Sequence, residues 1–211
     1  MNKLLNFAVL AVALGSAAAV HAVASPGYSS TGNTGPYAGE AVTVGFSFTA
    51  LSDVYVTALG YNDSGVPGLA SSHAVGLFAL SDGSALRTVD VQAGTASTFI
   101  DGYRYEGISQ YRLHAGTQYV LAAYANGADG YLVPGSAASL TSHPLIAIGA
   151  TGLYLYGHDT LMFPTVCSSK YAYYPTANLL LSPVPEPASY ALMLAGLAAL
   201  FGVSQARRSK A

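Results

Sequence analysis

The sequence predicts an all-β body. It should be a two-sheet sandwich of jelly-roll-like type, flanked by an N-terminal signal helix and a C-terminal transmembrane helix. Three observations carry this. Apolar residues in the middle of the 211-residue chain alternate with a period of two. Asp-Gly and Asn-Gly pairs break those runs at short intervals. Both ends are apolar without alternation and carry positive charge at their tips.

Residues 1–24 read as a signal peptide. Lys3 supplies the basic start, Leu4 to Val20 the apolar stretch, and Val20-His21-Ala22 or Ala22-Val23-Ala24 the small-residue cleavage site. Residues 25–39, dominated by Ser, Thr and Gly, read as a polar linker. The body then runs over 40–182. Val42, Val44, Phe46 and Phe48 share one face of its first strand. In the next, Val54 and Val56 oppose Tyr55, Thr57, Leu59 and Tyr61. Val75, Leu77 and Ala79 continue the pattern. Tyr119, Leu121 and Ala123 alternate with Val120, Ala122 and Tyr124, and Leu153 and Leu155 with Tyr154 and Tyr156. Asp82-Gly83, Asp101-Gly102, Asn126-Gly127 and Asp129-Gly130 mark turns that need positive φ. About nine or ten strands are expected. No stretch between 25 and 182 shows a capped helical period, and no repeat of solenoid or propeller length is present.

Residues 183–211 form a separate unit. Pro183-Val184-Pro185-Glu186-Pro187 is a stiff spacer, and Ala188 to Val203 is an uncharged run of 16 residues. As a helix that run covers about 24 Å, slightly less than a hydrocarbon core of about 30 Å. Arg207, Arg208 and Lys210 follow and set the topology, since basic residues stay on the cytoplasmic side. Everything before Pro183 is then exported.

Composition excludes several functions. Outside the two ends only Arg87, Arg104, Arg112 and Lys170 are basic, against nine acidic residues, so the body sits near −5. Nucleic acid demands a basic surface and is excluded as a partner. A broad basic patch for acidic polysaccharide is excluded too. Cys167 is alone, so no internal disulfide forms, and its reading is an incidental thiol.

The residues that carry chemistry are few. Asp63, in Asn62-Asp63-Ser64-Gly65, is the sole carboxylate of a loop that resembles a calcium loop only loosely. A turn capped by its own Asn and Asp side chains explains it better. His73 opens a strand directly after that loop and is placed to bond a carboxylate or carbonyl. No set of His, Cys or carboxylates has zinc spacing, so no metal and no cofactor are expected. No Gly-x-Ser-x-Gly elbow is present, and nothing selects a partner for Glu106 as a glycosidase pair. Fifteen of the 16 tyrosines lie between the signal peptide and the C-terminal unit, and the chain has no Trp. Tyr103, Tyr105, Tyr111, Tyr154, Tyr156, Tyr171, Tyr173 and Tyr174 cluster in the later strands, and such a face could stack on sugar rings and bond their hydroxyls. Asp63, His73, Tyr103 and Tyr105 are therefore the candidate ligand-binding residues. Cross-strand packing is the competing reading for the tyrosines.

Two resemblances extend this. Val184-Pro185-Glu186-Pro187, an apolar run and an Arg-rich tip resemble the PEP-CTERM sorting signal of exported proteins from Gram-negative bacteria that make extracellular polysaccharide. The resemblance implies processing near Pro185 by an exosortase-type membrane protease, for which residues 185–187 are substrate. It also implies export across the inner membrane, transient anchoring, and release to the cell envelope or beyond. Val44 to Phe48, Val56 to Tyr61, Gly68 to Leu77, Gly102 to Tyr105 and Leu113 to Leu121 resemble an uncharacterised β-sandwich domain. That domain is common in PEP-CTERM proteins and in some secreted carbohydrate-active proteins. The resemblance covers about residues 40 to 125, at most to 181, and brings no catalytic residues.

The expected function is a non-catalytic surface or matrix protein associated with exopolysaccharide. A carbohydrate-binding module is the alternative, and a secreted hydrolase the weaker one. Mass spectrometry of the exported protein should find a new C-terminus near Pro185, whereas an intact Arg207-Arg208 end would contradict the sorting expectation.

Overall fold

The computed structural model describes residues 23–63, 68–127, 129–184 and Gly196. Most of the expected signal peptide and the sorting residues Pro185, Glu186, Pro187, Arg207, Arg208 and Lys210 lie outside the described residues. Among the described residues no helix is long and apolar enough to cross a membrane.

The period-two runs become paired strands. The described strands are β1 (Ser25–Pro26), β2 (Tyr28–Tyr37), β3 (Val42–Ala50), β4 (Val54–Asn62), β5 (His73–Ala79), β6 (Ala85–Val91) and β7 (Thr98–Ile100). They continue with β8 (Tyr103–Leu113), β9 (Gln118–Ala125), β10 (Tyr131–Ser142), β11 (Ile146–Tyr156), β12 (Val166–Cys167) and β13 (Ala177–Pro183). All pairings between them are antiparallel. A five-stranded sheet has the order β1-β13-β4-β8-β7, and a six-stranded sheet the order β12-β11-β3-β9-β5-β6. A two-stranded ribbon, β10-β2, stands beside them. The architecture is all-β and sandwich-like.

The main core lies between the two large sheets. Phe46 and Phe48 of β3, Leu77 of β5 and Leu121 of β9 meet Val54, Val56 and Leu59 of β4 and Leu179 and Leu181 of β13. Burying one such side chain contributes about 1.5–3 kcal/mol. Strand β9 is buried on both faces. Val120 and Ala122 join Phe78 and Leu153 in a second layer, over which Leu161 and Phe163 are laid. The segment between β11 and β12 thus covers the outer face of the six-stranded sheet. The Asp101-Gly102 turn, with φ of 48° and 82°, has the left-handed pair that a tight hairpin between β7 and β8 requires.

Three expectations need correction. First, thirteen strands are described where about nine or ten were expected. The extra ones include β1, β7 and β12, of two or three residues, too short to show a period. Second, Leu59 and Tyr61 do not oppose Val54 and Val56; all four are buried in the one core. Leu181 pairs with Val56 but Leu180 with Ala58, so Thr57 is an extra residue that flips the alternation. Third, residues 25–37 are strand rather than linker. Their polar side chains hide the fact because β2 pairs only with β10 in an exposed ribbon. Tyr28 is only 2% exposed. Its hydroxyl donates to Ala177 O at 2.6 Å, and its carbonyl accepts from Asn178 Nδ2 at 2.9 Å.

The registers also orient the body. Ser25 pairs with Leu181, and Val54 pairs with both Leu113 and Pro183. Both chain ends therefore leave the sandwich at one end. Val42 pairs with Ala125 and Tyr156 at the opposite end, where Asn62 pairs with Tyr103. Tyr28→Ala should cost about 3–5 kcal/mol in urea unfolding, as for a core aromatic. A linker residue would cost about 0.5 kcal/mol or less, and that result would refute the reading of β1 and β2 as part of the fold.

Candidate functional site

The four ligand-binding candidates of the sequence are all interior. Asp63 follows β4 and accepts from Arg104 Nε of β8 at 2.5 Å, with side-chain exposures of 2% and 9%. Arg104 Nη1 also donates to Thr95 O and Ser97 O at 3.0 and 3.1 Å. A carboxylate so engaged by a guanidinium is a structural ion pair. His73 is fully buried. Its Nε2 lies 2.6 Å from Asp129 Oδ2 and its Nδ1 3.1 Å from Tyr124 O. The ring stacks on Tyr61 at 3.8 Å between centroids, and the Tyr61 hydroxyl donates to Gly130 O. Ala70 N and Ser71 N donate to the same Asp129 carboxylate. His73 and Asp129 thus latch the segment before β5 to the turn between β9 and β10.

Ser71 Oγ lies 3.3 Å from His73 Nε2, the nitrogen that already meets Asp129. A hydrolase relay needs the serine and the carboxylate on opposite ring nitrogens. This trio joins loops and does not activate a nucleophile. Tyr103 and Tyr105 face the core at 4% and 3% exposure. The Tyr103 hydroxyl donates to Pro175 O at 2.8 Å and meets Tyr28 OH at 3.1 Å, and burial pushes its phenol up to about 12. Burial also raises the phenol of Tyr105, whose hydroxyl has no hydrogen-bond partner among the described residues. Neither ring is presented to a ligand. Glu106 accepts from Ser97 Oγ at 2.6 Å.

Other tyrosines form a surface cluster: Tyr154, Tyr156, Tyr171 and Tyr174, which the sequence also singled out, are joined by Tyr37 and Tyr131, which it did not. Tyr154 and Tyr156 lie on β11, Tyr131 opens β10, Tyr37 closes β2, and Tyr171 and Tyr174 lie between β12 and β13. Their rings make a continuous set of contacts. Centroids are 5.4 Å apart for Tyr154–Tyr156, 6.4 Å for Tyr154–Tyr174 and 5.7 Å for Tyr171–Tyr174. Tyr131 joins Tyr174 at 6.1 Å and Tyr37 at 5.7 Å. Tyr131 OH and Tyr156 OH lie 3.3 Å apart. Tyr174 is buried and roots the cluster against Val42, Val44 and Val133, while Tyr37 and Tyr156 are 44% and 45% exposed. Burial and the Tyr156 hydroxyl push the Tyr131 phenol up, so it remains a neutral donor.

Polar groups rim this platform. An open cavity of about 750 Å³ beside Tyr156 is lined by Glu40, Ala41, Gly157, His158 and Asp159. His158 is fixed there by contacts of 2.6 Å from its ring nitrogens to Thr160 O and Leu155 O. On the other side, a groove of about 320 Å³ is lined by Pro134, Ser136, Lys170, Tyr171 and Tyr173. The Lys170 ammonium lies over the Tyr171 ring at 4.9 Å. The whole set is at the end of the sandwich opposite the chain ends.

Residues 28–175 match the family described as a domain of unknown function, DUF4082. The chain belongs to the DUF4082 family. Residues 183–208 match the PEP-CTERM protein-sorting motif. That motif marks an exported protein sorted through the membrane by an exosortase, a membrane protease. No curated protein and no solved structure matches the chain. The family match begins at Tyr28, in agreement with strands where a linker was expected, and ends just before β13.

The latch makes a pH prediction. Burial would raise the Asp129 carboxyl, but the hydrogen bonds from His73, Ala70 N and Ser71 N outweigh it and hold the carboxyl below its ordinary value. Such a group adds stability in full above about pH 4 and loses it as pH falls through the folded value. Asp129→Asn should lower the urea midpoint at pH 7 and flatten its fall below about pH 4. Parallel pH profiles for the two proteins would show that the latch contributes nothing.

Proposed function

We propose that this DUF4082 protein is a non-catalytic surface or matrix protein that associates with exopolysaccharide. Its sorting signal delivers the sandwich across the inner membrane, and processing near Pro185 releases it to the envelope or beyond. The tyrosine platform carries this reading. Neutral phenol rings offer apolar faces to sugar C–H groups and hydroxyl edges to sugar O–H groups. The flanking Glu40, Asp159 and backbone turns supply further acceptors. The site is open rather than enclosed, with Tyr156 as its aromatic surface beside Glu40, His158 and Asp159, as suits a chain polymer rather than a small buried ligand.

The position of the platform supports the same reading. While the apolar run from Ala188 holds the chain at the membrane, the end carrying Ser25 and Pro183 is the near end. The platform is then directed away from the bilayer, where polymer accumulates. The β-sandwich acts in this account as a binding body, so a carbohydrate-binding module describes it as well as a matrix component does. Hydrolysis has weaker support, since Glu106 is held by Ser97 and the His73 trio has the wrong order of bonds.

Retention of the exported protein on exopolysaccharide from polymer-producing cells tests the proposal. Tyr156→Ala and Tyr37→Ala should each weaken retention about tenfold, an effect of about 1.4 kcal/mol, with little change in folding stability. Unchanged retention in the double variant would refute the platform as the contact.

A further inference from the structure

We infer that the platform takes an acidic sugar residue, a uronate or its equivalent, with Lys170, held on Tyr171, pairing the sugar carboxylate in the groove. This rests on the carbohydrate reading and adds the charge class of its ligand.

Four cations belong to the body, and three are engaged. Arg104 is locked to Asp63 inside the fold, and Arg112 bonds Asp53 at 2.5 Å. Arg87 donates to the carbonyls of Leu86, Ser109 and Gln110 and lies over Tyr111 at 5.0 Å. Lys170 is different. Among the described residues it is exposed, in no salt bridge, and seated on an aromatic ring in a groove. Tyr37 and Tyr174 lie near enough to act on it as well. The Tyr171 hydroxyl takes one of the ammonium's hydrogen bonds and holds it charged, which leaves the remaining donors for a partner outside.

The surroundings make that one charge selective. The body near −5 repels polyanions in general. A carboxylate-bearing polymer therefore gains only where a cation waits, and Glu40 and Asp159 disfavour it at the Tyr156 end. The polymer is thus oriented, with its acidic residue at the Lys170 groove and a neutral residue over Tyr156. The broad basic patch excluded by composition is not required, because a single pairing adds to stacking that is already present.

The test compares binding of the exported protein to polygalacturonate and to dextran by affinity electrophoresis, with a chelator present so that divalent bridging is absent. Tighter binding of polygalacturonate, lost about tenfold in Lys170→Gln, restored in Lys170→Arg and weakened by added salt, is expected. Glu40→Gln should tighten it. Equal binding to both polymers with no effect of Lys170→Gln would overturn the acidic-sugar inference and leave the platform reading intact. Binding of neither polymer, nor of the cells' own polysaccharide, would overturn both.

Discussion

The seam between the first and last strands holds this body closed. The Tyr28 hydroxyl reaches Ala177 O across 149 residues, and the Asn178 amide returns to the Tyr28 carbonyl. The Tyr28 ring meets Phe46 edge-on at 5.4 Å and Tyr103 at 6.0 Å, so the seam enters the core rather than lying over it. Strand β13 sits between β1 and β4 and completes the five-stranded sheet. The sheet is therefore continuous only once residues up to Pro183 are in place. Such long-range closure is costly in entropy and comes late in folding. It also explains why Ser25 and Pro183 lie at one end of the sandwich.

The opposite end is built by a different rule. There, polar groups are buried in pairs that join distant segments: Asp63 with Arg104, and His73 with Asp129. A buried charge left alone is strongly unfavourable, so each pair fixes the loops that carry it. The tyrosine cluster rests on the same frame. Val42 and Val44 hold Tyr174, which holds Tyr131, Tyr154 and Tyr171, and only the outer rings reach solvent. A platform rooted in this way presents its aromatic faces with little further ordering on binding.

Much of the fold was legible, and the reasons are particular. Val42, Val44, Phe46 and Phe48 point one way because a regular strand alternates, and each is buried as that pattern requires. Gly83, Gly102, Gly127 and Gly130 all have positive φ, as their Asp and Asn neighbours implied. The bulge at Thr57 was not legible, because a bulge has no residue signature. The strand at Tyr28–Tyr37 was hidden because its ribbon exposes both faces and needs no apolar period. Of the site, the residue types were visible but not their partners. Asp63 and His73 look like ligands until Arg104 and Asp129 arrive from 41 and 56 residues away. Tyr103 and Tyr105 share one face at i and i+2, and that face is inward. Tyr154, Tyr156, Tyr171 and Tyr174 were visible as a group, but Tyr37 and Tyr131 were not, because the platform is assembled from β2, β10, β11 and the segment before β13, which no local period connects.

The central proposal is that polymer meets the sandwich at the end far from Ser25 and Pro183. Hydrogen exchange of the full exported protein, with and without the cells' own exopolysaccharide, tests it directly. The account predicts added protection confined to residues 37–41, 154–159 and 168–174. Protection at 51–53 and 114–117, at the end where the tags leave, or no change at either end, would contradict it.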